Sequence, residues 1–190
     1  MSASASRNRR PLLGLLALFA APLALAFLLY YGTGWRPSTT TNKGDLIRPA
    51  VALPTVARPG ADGGGKVDSL FSNHWSLVVI SPTTCDADCQ QALIYTRQTA
   101  LSLGRLSARV QRVLLAPGNC CDGVELTREH PDLIRVDGGG LLAAFPAADR
   151  EHMVFVVDPL GNLMMRYDIR LDPKGLRDDL KHLLDLSQIG

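Results

Sequence analysis

Between His74 and Leu93 the chain reads HWSLVVISPTTCDADCQQAL, and this stretch limits the possible fold more than any other. Leu77, Val78, Val79 and Ile80 form a continuous apolar run with β-branched members, ended by Ser81-Pro82. Such a run predicts a strand covered on both faces, in the interior of a sheet. Thr83 or Thr84 is placed to cap a following helix, and Asp86 and Asp88 suit the positive end of its first turn. Cys85 and Cys89 are four residues apart and therefore share one face of that helix start. Two sulfurs delivered together at the carboxyl end of a buried strand close a disulfide or hold a soft metal ion.

Three uses of the pair compete. A structural bridge fits an oxidising compartment. Thiolates select Cu(I), and a helix N-terminus lowers thiol pKa in favour of disulfide exchange. Asp86 and Asp88 shift the balance toward holding a cation, because neighbouring carboxylates oppose thiolate formation.

Upstream, residues 1–10 carry Arg7, Arg9 and Arg10 and no acid, and read as a cytoplasmic basic tail. Residues 11–31 form an uncharged apolar run of about twenty residues, the length of a transmembrane anchor. Ala24-Leu25-Ala26 resembles a signal-peptidase site, but Phe27-Leu28-Leu29-Tyr30-Tyr31 continues the run past it. The tyrosines and Trp35 suit a membrane interface, so the expectation is an uncleaved anchor. The arginines then stay inside, and everything after Tyr31 lies outside the membrane.

Residues 32–66, rich in Gly, Pro, Thr and Ser, read as a linker. Residues 67–190 read as one domain. A helix continues from Ala92 to Leu103 with Gly104 near its end, followed by a strand over 109–115. Short elements are expected at 122–130, 133–136 and 141–145. Met153–Val157 and Leu163–Tyr167 flank the turn sequence Asp158-Pro159-Leu160-Gly161-Asn162 and predict a hairpin. Asp172-Pro173 opens a last helix whose apolar face is Leu176, Leu180, Leu183 and Leu184. Strand–helix–strand first and hairpin–helix last is thioredoxin-like order, a central mixed sheet flanked by helices in an α/β domain.

A strand leading through a proline loop into Cys-x-x-x-Cys, behind an anchor and ahead of a hairpin and helix, resembles the Sco/SenC proteins. Asn42-Lys43-Gly44-Asp45-Leu46-Ile47-Arg48-Pro49 is similar to a segment between anchor and domain in such proteins. The resemblance covers roughly 68–186. It implies a thioredoxin fold, attachment to the bacterial inner membrane with the domain in the periplasm, and a part in cytochrome c oxidase assembly. It also implies copper ligation by Cys85 and Cys89, with His152 as a third ligand standing before the hairpin's first strand. His152 lies closer to the turn than in the family pattern, by a shift that keeps the same strand face. The implied partner is an oxidase subunit or another copper chaperone. The alternative is a thiol–disulfide oxidoreductase, with Cys85 and Cys89 catalytic, that keeps oxidase or chaperone cysteines reduced.

The vicinal Cys120-Cys121 stay open: loop thiols, a bridge from one of them to Cys85 or Cys89, or a metal-binding pair. Met164-Met165 read as core, and His74, His130 and His182 as ordinary. A net charge of +2 with scattered basic residues argues against nucleic acid. No phosphate-cradling glycine loop, Ser-His-Asp order or paired-carboxylate site stands out.

Overall fold

The computed structural model describes residues 10–32, 41–59, 69–81, 84–118, 120, 124–146, 153–170, 172 and 174–190. The chain divides into two compact units, Met1–Thr41 and Asn42–Gly190. In the first, α1 (Arg10–Gly32) is a helix of 23 residues, and Pro11–Gly32 is long and apolar enough to cross a membrane. Its length of about 33 Å, at 1.5 Å per residue, matches a bilayer core. Aromatic rings gather at its carboxyl end, where Phe27 and Tyr30 each pack against Tyr31.

The second unit is built on a six-stranded sheet in the order β1-β6-β5-β2-β3-β4. These strands are β1 (Asp45–Ala52), β2 (Trp75–Ile80), β3 (Val110–Leu115), β4 (Leu133–Val136), β5 (Met153–Val157) and β6 (Asn162–Asp168). The helices are α2 (Ala87–Ser102), α3 (Val124–Glu129) and α4 (Gly175–Leu186). Every residue of β2 is buried, as its unbroken apolar sequence requires. Its side chains alternate between two cores. Trp75, Leu77 and Val79 join the residues of α2 and α4 on one face. Val78 and Ile80 join Leu70, Phe71, Leu141, Phe145 and Phe155 on the other.

β2 and β3 run parallel, joined by the α2 crossover, and β4 extends them in the same sense. β5 lies antiparallel to β2 and to β6. The β5–β6 turn is closed by Asp158, whose Oδ1 accepts from the amides of Leu160 at 2.9 Å and Asn162 at 2.8 Å. Gly161 supplies the turn's positive φ of 86°.

The stretch 32–66 is more than a tether, because residues 45–52 form β1 and pair with β6. Gly44 explains how this edge docks. A Cβ there would meet the Tyr167 ring at 2.3 Å, so only glycine lets the backbone lie on that ring. Asp179 of α4 then gathers the corner, accepting from the Lys43 amide at 2.6 Å, the Gly44 amide at 3.0 Å and the Tyr167 hydroxyl at 2.7 Å. The lack of apolar periodicity hid this strand. Its residues are mostly exposed, and its register shifts between Leu46 and Val51.

Candidate dithiol site at the carboxyl end of the central strand

The chain leaves β2 still fastened to its neighbour, with the Ser81 amide donating to the Leu115 carbonyl at 2.9 Å. Helix α2 then begins later than its sequence predicts. Asp86, rather than Thr83 or Thr84, is the N-cap, and its Oδ1 accepts from the Cys89 amide at 2.9 Å. The shorter route wins because an aspartate in extended conformation just before the helix reaches the third amide directly. Cys85 therefore stands ahead of the helix, and only Cys89 is in its first turn.

The two cysteines are joined, S–S 2.02 Å, with Cα atoms 5.1 Å apart. Their surroundings differ. Cys89 is 3% exposed and belongs to the core with Ala92 and Leu93. Cys85 is half-buried against the same cluster. An incoming thiol therefore meets the Cys85 sulfur first. A thiolate formed here meets two opposed fields, the positive helix end and the Asp86 carboxylate beside the Cys89 amide.

Cys120 lies at the same end of the sheet, in the loop after β3. It is disulfide-bonded, and since Cys85 and Cys89 are paired with each other, neither is its partner. Free loop thiols and a bridge to Cys85 or Cys89 are thus both set aside for Cys120: the Cys85–Cys89 loop closes on itself because its ends are already one helical turn apart. Cys120 Sγ is 3.7 Å from Ser81 Oγ, and its carbonyl accepts from the Arg135 guanidinium. An open cleft of about 250 Å³ lies alongside, lined by Ala116, Gly118, Arg135, Val136 and Asp137. Cys121 and His152 lie outside the described residues. Among the described residues no three His, Cys, Asp or Glu side chains converge as a metal site. Met165 is buried in the core, as its strand position implies.

A charged group under α2 was not anticipated. Arg112 of β3 is 1% exposed and donates to the Leu93 carbonyl at 2.8 Å, to Thr96 Oγ1 at 3.3 Å and to Asp132 at 3.2 Å. Its Nη2 is also 3.2 Å from His130 Nδ1. Leu93 is one turn beyond Cys89, so this guanidinium fixes the helix that carries the site. Burial lowers the pKa of Arg112, with Asp132 opposing that effect. Burial first, and then the Arg112 charge, lower His130 below the usual histidine value. Tyr95 is pushed up to about 12 by burial and the Asp172 charge. The only hint of Arg112 in the sequence is a cation on an inward position of an apolar strand.

Residues 75–187 match the family model described as transmembrane-like, thioredoxin-like, C-terminal domain. No curated protein sequence matches. Among solved structures, a putative thioredoxin from Neisseria meningitidis aligns with TM-score 0.52 and 14% identity, covering 73% of this chain and 93% of that one. A putative thiol:disulfide interchange protein DsbE from Chlorobium tepidum aligns with TM-score 0.51 and 16% identity, covering 76% and 99%. Apo Sco1 from Thermus thermophilus aligns with TM-score 0.49 and 17% identity, covering 78% and 97%. At these identities the likeness is one of fold. The matched model spans more than half of the chain, which therefore belongs to the family of transmembrane-like proteins with a thioredoxin-like C-terminal domain.

Proposed function

We propose that this protein is a membrane-tethered copper handler in cytochrome c oxidase assembly. Cys85 and Cys89 are a reversible dithiol that takes Cu(I) when reduced and passes it to an oxidase subunit or another copper chaperone. The observation that carries this reading is the pairing of Cys85 with Cys89 at the carboxyl end of the central strand. Opened, the same pair offers two soft donors, one just ahead of α2 and one in its first turn. Asp86 and Asp88 beside them favour a bound cation. His152 is the third ligand in this proposal, since it directly precedes β5, the strand beside β2. The arginines before α1 keep the N-terminus inside and the domain in the periplasm; a reporter fused after Gly190 then reads outside the inner membrane, and a cytoplasmic signal overturns that orientation.

The unequal burial of the two sulfurs favours a second reading, a thiol–disulfide oxidoreductase with Cys85 attacking and Cys89 resolving. One experiment separates them. The full chain, reduced in detergent, is titrated with Cu(I) against a chromophoric chelator. About one Cu(I) per chain is expected, abolished by Cys85→Ser or Cys89→Ser and weakened by His152→Ala. No binding by the reduced chain, with rapid turnover of a protein disulfide, overturns the copper reading in favour of the second.

A further inference from the structure

We propose that Cys120 belongs to a second redox centre that exchanges electrons with Cys85–Cys89. This rests on the reading of Cys85–Cys89 as a reversible dithiol, and is independent of copper. β2 and β3 are adjacent and parallel, with Ile80 opposite Leu115, so the loops after them leave from the same edge. The loop after β3 turns back at once: the Cys120 amide donates to the Pro117 carbonyl at 3.2 Å. That turn brings Cys120 Sγ to 3.7 Å from the hydroxyl of Ser81, the residue that ends β2. Arg135 of β4 holds the Cys120 carbonyl in place. Cys85 and Cys120 are both half-buried against the apolar cluster that encloses Cys89. Cys120 and the Cys85–Cys89 bridge thus lie at one end and on one face of the sheet, after neighbouring strands.

The chemistry is two successive thiol–disulfide exchanges. A dithiol protein reductant opens the Cys120 bridge and is itself oxidised, leaving a Cys120 thiolate and a second thiol. The Cys120 thiolate attacks Cys85, the less buried sulfur of its pair. A Cys120–Cys85 bond forms, the Cys85–Cys89 bond breaks, and Cys89 leaves as a thiolate that takes up a proton. The second thiol then attacks Cys120 as a thiolate, restores the original bridge and releases Cys85. Two electrons and two protons have passed to Cys85 and Cys89. The Ser81 hydroxyl, beside Cys120 Sγ, is placed to donate to the attacking thiolate. The open cleft next to Arg135 leaves room for the reductant on that side.

The test uses the full chain in detergent. In the double variant Cys89→Ser, Cys121→Ser, the two remaining cysteines are oxidised with glutathione disulfide at low protein concentration and mapped as peptides without reduction. A Cys85–Cys120 cross-link within the monomer is expected; separate glutathionylation of both overturns the proposal. Wild-type protein serves if that variant fails to fold. Limiting dithiol reductant, acid quench and alkylation should trap the same linked peptide. A tethered thiol acts at an effective concentration of about 1 mM, so with the dithiol reductant at about 0.1 mM, Cys120→Ser with Cys121→Ser should slow reduction of Cys85–Cys89 by roughly tenfold. An unchanged rate and no linked peptide overturn the relay. A cross-link that forms while the fully reduced chain ignores Cu(I) overturns the copper reading and leaves the relay standing.

Discussion

The two faces of the sheet are made on different principles. The face holding Leu70, Phe71, Phe145 and Phe155 is a hydrocarbon core, with Phe145 and Phe155 edge to face at 5.2 Å. Its buried polar side chains, Gln111 and Ser76, are neutral, Gln111 donating to the Leu70 carbonyl at 2.6 Å and to Ser76 Oγ at 2.7 Å while accepting from the half-buried Arg58 guanidinium. The face under α2 and α4 holds Cys89, Tyr95 and Tyr167 and also a buried guanidinium. The first face supplies stability through burial. The second carries polar groups whose burial is unfavourable in itself, and uses them to fix the helix that bears the dithiol.

The largest expected effect breaks the first face. Phe155→Ala should cost about 3–5 kcal/mol, measured by urea unfolding, and should leave the reactivity of Cys85 in the residual folded protein unchanged. Arg112→Met sharpens the contrast from the other side. It keeps much of the volume but removes the guanidinium's bonds to the Leu93 carbonyl and Thr96 Oγ1, leaving that carbonyl only the Thr96 hydroxyl as a side-chain donor at 3.0 Å, for a cost of about 1–3 kcal/mol. Unlike Phe155→Ala, it should loosen α2 and speed the opening of Cys85–Cys89 by a dithiol. Equal reduction rates in the two variants would show that the faces do not differ in this respect.

The smallest effect is in pH. His130 is buried beside Arg112, faces Arg97, Glu129 and Asp132 as well, and has a lowered pKa. With a depressed folded value, the unfolded chain binds the proton first. The stabilising contribution is complete above the unfolded pKa of about 6.5 and is lost as pH falls toward the folded value. Unfolding midpoints from pH 8 to 5 should fall for the wild type more steeply than for His130→Gln. Parallel curves would remove His130 from the account. Tyr95, raised to about 12, gives the opposite limb: its contribution holds below pH about 10 and is lost as pH climbs toward 12. Tyr95→Phe should flatten that decline.

Much of the site was legible before the structure. The apolar run at 77–80 and the turn at 158–162 settle β2 and the β5–β6 hairpin from local sequence, because burial on both faces and positive φ each demand particular residues. Where local signals competed, the sequence misled. Thr83, Thr84 and Asp86 are all capping residues in one short stretch, and it is Asp86 that caps α2. Vicinal Cys120-Cys121 carry no spacing rule, so the bonding of Cys120 emerged only once Cys85 and Cys89 were seen to be joined.

The sequence by itself determined the apolar run 11–31, the strand–loop–cysteine unit and the order of the elements from β2 onward, since each follows from periodicity, turn residues or charge within a short window. Tertiary structure decided the rest, in each case through contacts between residues far apart in the chain. It drew residues 45–52 onto β6 through Gly44 and Tyr167, and it set Arg112 under α2 against His130 and Asp132. It also brought Cys120 back to Ser81, which no local pattern encodes, because that approach depends on β2 and β3 lying side by side.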